Sequence, residues 1–176
     1  MARTAQPTIR LARTADAAPI ACMSRRYIEA SLQWNWRAPR VLGHITSATS
    51  NVAVAEQRGN DQQNQMAGFA IMQFDVNVAA LCLLAVNPQC RRLGIAARLV
   101  RWLEVTTDTA GLYSIHVEAR EDNQTAHGLY DALGFKVQQR LPSYYAGGIA
   151  AVRFKKRLQP AFSATLERVS TPSVGY

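Results

Sequence analysis

The stretch Leu81–Ala97, LCLLAVNPQCRRLGIAA, constrains this chain more than any other. Leu81–Val86 is apolar at every position, the composition of a strand covered on both faces. Asn87-Pro88 is a turn dipeptide that ends such a run. Arg91-Arg92-Leu93-Gly94-Ile95-Ala96 then leads into apolar residues at helical spacing: Ala96, Leu99, Val100 and Leu103. A buried strand feeding a helix through a tight turn predicts an α/β (α+β) domain.

The turn itself has a chemical character. The first N–H groups of a helix have no partner inside it and carry the positive end of its dipole, so an anion sits there readily. Gly94 has no side chain, which lets a phosphate come close to the main chain, and Arg91 and Arg92 add charge at the rim. The turn suits a diphosphate, and with it the pyrophosphate of coenzyme A. It lacks the Lys-Ser/Thr of a P-loop and the glycine spacing of the dinucleotide fingerprint.

Alternating elements surround this segment. Strands are expected over Thr8–Ala12, Asn51–Gln57, Met66–Asp75, Val78–Val86, Leu112–Ala119, Phe135–Leu141 and Gly148–Leu158. Helices are expected over Ala17–Ser31, entered through Thr14-Ala15-Asp16, and over Arg40–Ser47 and Gly94–Thr106, with Arg98, Arg101 and Glu104 facing out of the last. A further helix is capped by Asn123 and carries Ala126, Leu129, Tyr130 and Leu133 on one stripe, with Gly134 as its C-terminal cap. Leu32–Arg37, with Trp34 and Trp36, interrupts the first two helices, and Arg58–Gln65 reads as a polar hairpin loop. Residues 1–158 form one domain by this reading, and 159–176, with Pro160, Pro172 and Gly175, a flexible tail.

Composition narrows the class. A hydrophobic content of 48% in 176 residues excludes general disorder. No apolar run reaches the roughly 18–20 residues that span a bilayer, and the N-terminus lacks a long apolar segment, so neither a membrane nor a secretory role is expected. Cys22, Cys82 and Cys90 are unevenly spaced, without C-x-x-C, which reads as free thiols in a reducing cytoplasm and offers no metal site. Cys90 beside two arginines is a weak nucleophile candidate. The net charge of +8 suits polyanionic coenzyme A, and it also suits RNA or a ribosomal surface.

Arg91–Ala96 after a strand, followed by Asn123-x-x-Ala126-x-x-Leu129-Tyr130-x-x-Leu133-Gly134-Phe135, resembles the GNAT superfamily of N-acetyltransferases over about residues 8 to 158. Tyr144-Tyr145-Ala146-Gly147-Gly148 before an alternating strand is similar to the RimI-like protein N-terminal (ribosomal-protein-alanine) acetyltransferases. The resemblance implies a mixed, mostly antiparallel sheet splayed between its two middle strands and flanked by about four helices. It implies acetyl-CoA as co-substrate, held by Leu84, Ala85 and Val86 along the pantetheine arm, with the Val86 N–H at the thioester oxygen. Arg91, Arg92, Leu93, Gly94, Ile95 and Ala96 would hold the pyrophosphate, and Asn123 and Tyr130 would complete the cofactor site.

Further roles follow from the same resemblance. Glu118 would be the general base, usually through water, and Tyr130 the general acid at the departing sulfur. Trp34 and Trp36, in the connection between the first two helices, and Tyr144 and Tyr145 would line the acceptor site. Each residue also has a plain reading: a salt bridge with Arg120 or another arginine for Glu118, a helix cap for Asn123, core packing for Tyr130 and the tryptophans. His116 is the rival base on the same strand face. One departure stands out: Ile149-Ala150-Ala151 follows the turn glycines where RimI-like chains usually place an acidic residue.

The functions left open are acetylation of a protein or peptide N-terminal α-amine, a ribosomal protein among the candidates; acetylation of a small-molecule amine such as an antibiotic, amino acid or polyamine; and a non-catalytic acetyl-CoA-binding or RNA-associating basic module. The set Glu118, Asn123 and Tyr130 argues for catalysis. The implied enzyme is cytoplasmic, a monomer or homodimer, with direct nucleic-acid binding not expected.

Overall fold

The computed structural model describes residues 6–30, 35–58 and 64–159. Its described elements are β1 (Thr8–Leu11), α1 (Ala17–Tyr27), α2 (Ala38–Thr46), β2 (Ser50–Arg58), β3 (Asn64–Phe74), β4 (Ala79–Val86), α3 (Ile95–Thr109), β5 (Ser114–Arg120), α4 (Gln124–Ala132), β6 (Lys136–Tyr145) and β7 (Ile149–Arg157). Short 3-10 turns lie at Thr14–Asp16 and Pro88–Cys90. The strands form one sheet in the order β1-β2-β3-β4-β5-β7-β6, antiparallel except between β4 and β5. This is the mixed, mostly antiparallel architecture that the sequence implies. Among the described residues, no helix is long and apolar enough to cross a membrane.

Two apolar layers hold the sheet. Ala17, Ile20 and Ala21 of α1 and Val41 of α2 pack on Val52, Val54, Phe69, Ile71 and Leu83. On the other face Ile95, Leu99, Val100 and Leu103 of α3 and Tyr130 of α4 pack on Ala53, Ala70, Leu81, Val117 and Phe154. These side chains are excluded from water, and burial of a Leu or Ile of this kind is worth about 1.5–3 kcal/mol each.

The middle of the sheet is split. Parallel pairing of β4 with β5 is confined to Ala79 opposite Ile115 and Ala80 opposite His116. Beyond that point no β5 residue pairs with Leu81–Val86. A bulge assists the departure. Ile71 pairs with Leu83 while Met72 pairs with Leu81, so Cys82 is the extra residue in β4. The extra residue switches faces: Leu81 joins the α3–α4 layer and Leu83 the α1–α2 layer. Gly68 secures the other flank of β4, since a Cβ there would lie 2.8 Å from the Ala85 carbonyl oxygen.

Several sequence expectations shift at their edges. Helix α1 stops at Tyr27 instead of reaching Ser31. The cause is a buried carboxylate. Glu29, only 4% exposed, accepts the Ser24 hydroxyl at 2.9 Å and the Asn35 N–H at 2.8 Å, and so ties Asn35 back to the end of α1. Helix α2 begins earlier, at Ala38, with Pro39 in its first turn where no N–H is needed. Strand β6 continues past Leu141 to Tyr145, through an irregularity at which Ser143 takes a positive φ of 52°. Tyr144 and Tyr145 therefore end a strand instead of lying on a loop. Glu104 does not face solvent; it is half-buried against Lys156 Nζ at 2.7 Å. The expected hairpin tip at Gly59-Asn60-Asp61 and all of the tail 159–176 but Gln159 lie outside the described residues.

Candidate active site

The gap between β4 and β5 is built from backbone. The Asn87 N–H donates to the Ala67 carbonyl at 2.8 Å. Antiparallel alternation then makes Phe69 and Ala85 a hydrogen-bonded pair, and Gly68–Val86 and Ala70–Leu84 the open pairs. The N–H and C=O of Leu84 and Val86 consequently face the β5 side, where no strand answers them. An extended amide-containing arm can pair there as an extra strand would. Ala85 turns its backbone to β3 and contributes position only.

The turn after β4 ends in an open helix start. Asn87 Oδ1 accepts the Gln89 N–H at 3.1 Å and sets the 3-10 turn. Gly94 is the N-cap of α3 at φ 71°, with no side-chain cap over the first amides and open space where a Cβ would be. Arg92 also takes a positive φ of 63°, a conformation that non-glycine residues seldom adopt. Arg91 Nε reaches the Val86 carbonyl at 3.4 Å and ties the turn to the strand end. Arg91, Arg92 and Leu93 are exposed, whereas the Ile95 side chain is core and leaves only its amide for a ligand. Uncapped amides, a left-handed glycine and two exposed arginines fit a diphosphate.

Helix α4 supplies the next groups. Asn123 Oδ1 accepts the Ala126 N–H at 3.1 Å, the cap expected from its sequence position. Tyr130, two turns on, is 5% exposed and packs against Phe135 and Phe154 with ring centroids 5.6 Å away in each case. Burial, and then the Tyr145 hydroxyl, push its pKa well above the ordinary phenol value. The phenol is therefore protonated at any working pH, the state a proton donor needs.

Glu118 stands on the opposite face of the sheet. In β5 the residues Ile115, Val117 and Ala119 enter the α3–α4 core, so Ser114, His116 and Glu118 point the other way. Glu118 lies opposite Arg153 of β7, and its Oε1 accepts Arg153 Nε at 2.6 Å. His116 Nε2 is 3.8 Å from the same oxygen. Arg120, the first partner considered from sequence, pairs instead with Asp122 at 2.7 Å. Glu118 Oε2 makes no hydrogen bond to any described residue, so one carboxylate oxygen remains for water or an amine. Burial, more than the opposing pull of Glu118, lowers the pKa of His116 and leaves its ring neutral near pH 7.

Tyr144 and Tyr145 stack edge to face with centroids 5.0 Å apart. Burial, then the neighbouring Tyr144 and Glu118, push Tyr145 up to about 12. Burial and Glu118 also raise Tyr144, which remains 49% exposed. The Trp36 ring is 4.1 Å beneath the Arg40 guanidinium and 5.1 Å from the His44 ring. Its backbone N–H donates to Glu29 Oε2 at 3.3 Å, which fixes the connection. Trp34 lies outside the described residues. Arg153 and Glu29 are the residues that motif reasoning missed. Arg153 had a signal, in the basic alternation of VRFKKR; Glu29 had none.

The Acetyltransferase (GNAT) family model matches residues 23–135, which include the β4 turn, Glu118 and Tyr130. The chain belongs to the GNAT acetyltransferase family. Within that family, a ribosomal-protein-alanine N-acetyltransferase of Salmonella typhimurium is 34% identical over 82 residues, 47% of this chain and 55% of the relative. The matched stretch thus spans about half the length of that curated relative. Among solved GNAT structures, the ribosomal-protein-alanine N-acetyltransferase of Escherichia coli superposes with a TM-score of 0.69 at 23% identity, over 97% of this chain and 99% of that one. The acetyltransferase yncA of Salmonella typhimurium, solved with acetyl-CoA, gives a TM-score of 0.73 at 19% identity, over 97% and 100% of the two chains. At these identities the structural likeness speaks for the fold.

Proposed function

We propose that the chain transfers the acetyl group of acetyl-CoA to the N-terminal α-amine of a protein or peptide that begins with a small residue. The observation that supports this reading is that Tyr130 and Glu118 stand on opposite faces of a sheet split between β4 and β5. Tyr130 packs in the α3–α4 layer and Glu118 points to the α1–α2 side, while no strand answers the Leu84 and Val86 main chain on the β5 side. Such a site can protonate a leaving group on one side while it takes a proton from a nucleophile on the other. That favours direct transfer in a ternary complex. The ribosomal-protein-alanine specificity of the matched relatives makes a ribosomal protein the first acceptor to try.

Acetyl-CoA, when bound, supplies an acetyl thioester. Leu84 and Val86 would hold its arm by main-chain hydrogen bonds, with the Val86 N–H placed to stabilise charge on the carbonyl oxygen. The Gly94 turn, Arg91 and Arg92 would hold the pyrophosphate, and the Asn123 side chain flanks the arm. Glu118 takes a proton from the acceptor ammonium through water. The neutral nitrogen forms a bond to the carbonyl carbon, the carbon–sulfur bond breaks, and Tyr130 gives its proton to the sulfur; the nitrogen sheds its second proton to water as the amide forms, and water returns a proton to the phenol. Tyr144, Tyr145 and Trp36 suit an extended peptide, because aromatic rings cover a backbone and one small side chain.

Glu118→Gln tests the base. Near neutral pH its turnover should fall about tenfold, and part of the rate should return at high pH, where an α-amine of ordinary pKa about 7.7–8.0 is neutral without help. A rate–pH profile identical to that of the parent would take Glu118 out of the mechanism. Neutral His116 is the second candidate, and a rate loss confined to a His116→Asn variant would assign the base to it.

A further inference from the structure

The charge on the acceptor side of the sheet is one-sided. Among the described residues, helices α1 and α2 pack over β2 to β4, and neither makes a substantial contact with β5 or β7 on that face. Register places Ser114 opposite Arg157, His116 opposite Lys155 and Glu118 opposite Arg153. Glu118 is the only carboxylate in either strand, and it is already bound to Arg153. Lys155 is half-buried and Arg157 exposed, and neither has an ion-pair partner among the described residues.

The same row continues toward α2. Lys155 and His116 stand in line with Ala80, Gln73 and Ser50 across β7, β5, β4, β3 and β2. Gln73 Oε1 is 4.0 Å from Cys82 Sγ. It also lines an open polar cavity of about 190 Å3 with Arg40, His44, Ser47 and Thr49. Arg40 is exposed, stacked on Trp36, and has no carboxylate partner among the described residues. An acceptor with its amine at Glu118 must leave the site across a surface of unmatched cations.

We propose that the acceptor carries acidic side chains within the few residues behind its first, and that Arg40 and Lys155 select them. This rests on the reading of the chain as a peptide α-amine acetyltransferase. Both cations are at least partly solvated, so each matched pair contributes modestly to affinity and more to selection against like charge. Two such sites together give a preference on the order of tenfold. The term is electrostatic and must shrink with salt.

The test uses the full chain, acetyl-CoA and three peptides that begin with alanine and carry Asp/Glu, Ser/Gln or Lys/Arg at positions two to four. kcat/KM should rank acidic over neutral over basic, about tenfold between the extremes at low salt, with the gap narrowing in high salt. The double variant Arg40→Glu, Lys155→Glu should reverse the order, and the milder Arg40→Gln, Lys155→Gln should flatten it. Equal rates for the three peptides, a basic preference, or an acidic preference that survives the double variants would overturn the proposal. If none of the three is acetylated while a free amine such as spermidine is, the peptide reading beneath it fails as well.

Discussion

Replacing Tyr130 by Phe is expected to lower turnover by about a hundredfold while the KM for acetyl-CoA stays nearly unchanged. The substitution removes one oxygen from a ring otherwise packed between Phe135 and Phe154, so the fold should tolerate it. Burial keeps the phenol protonated far past neutral pH, which makes it a competent donor and a poor base. Its proton matters only as the sulfur departs, so the loss should fall on kcat and leave ground-state binding intact. Steady-state kinetics with the thiol product followed directly will check this. A Phe variant with parental kcat would assign protonation of the sulfur to water.

Gly94→Val should act on binding instead, raising the dissociation constant for acetyl-CoA more than a hundredfold. Gly94 sits at φ 71°, where a β-branched side chain is strained by roughly 1–2 kcal/mol. Nothing within 4 Å would clash with the new Cβ in the free protein, so the damage is local to the turn. The added methyls would occupy the space through which a phosphate approaches the α3 amides. Each charged hydrogen bond lost there costs about 1.5–3 kcal/mol. Calorimetric titration with acetyl-CoA on a variant shown to be folded will measure the effect. Parental affinity would remove the turn from the cofactor site.

Much of this site was legible from spacing, for reasons that can be traced. The alternation of SIHVEAR places His116 and Glu118 on one face whichever strands flank it, because the period of a strand is two. Asn123 reads as a cap because its short polar side chain can accept from the third amide on, and it does. Gly94 and Gly134 mark a helix start and a helix end, and both have positive φ. These features depend on neighbours within a few residues.

The parts that sequence reading missed depend on partners far along the chain. Arg153 meets Glu118 across 35 residues because β7 inserts between β5 and β6, a topology that no local pattern encodes. Glu29 reads as an ordinary polar residue at a helix end, yet it is buried and holds the Asn35 and Trp36 amides. The bulge at Cys82 is equally silent, since an apolar run looks the same in either register. Yet that bulge turns Leu81 to one layer and Leu83 to the other. Strand β6 reads short because Pro142 falls inside it; Pro is tolerated there because β6 is the sheet edge.

The central claim is a peptide α-amine as acceptor, and mass spectrometry of the products tests it most directly. The full chain is incubated with acetyl-CoA and, in separate reactions, an alanine-initiated peptide, the same peptide with its α-amine blocked and one lysine free, and spermidine. One acetyl group on the α-amine of the first, with little on the other two, is the expected result. Acetylation of spermidine or of the lysine side chain with the free N-terminus untouched would contradict it.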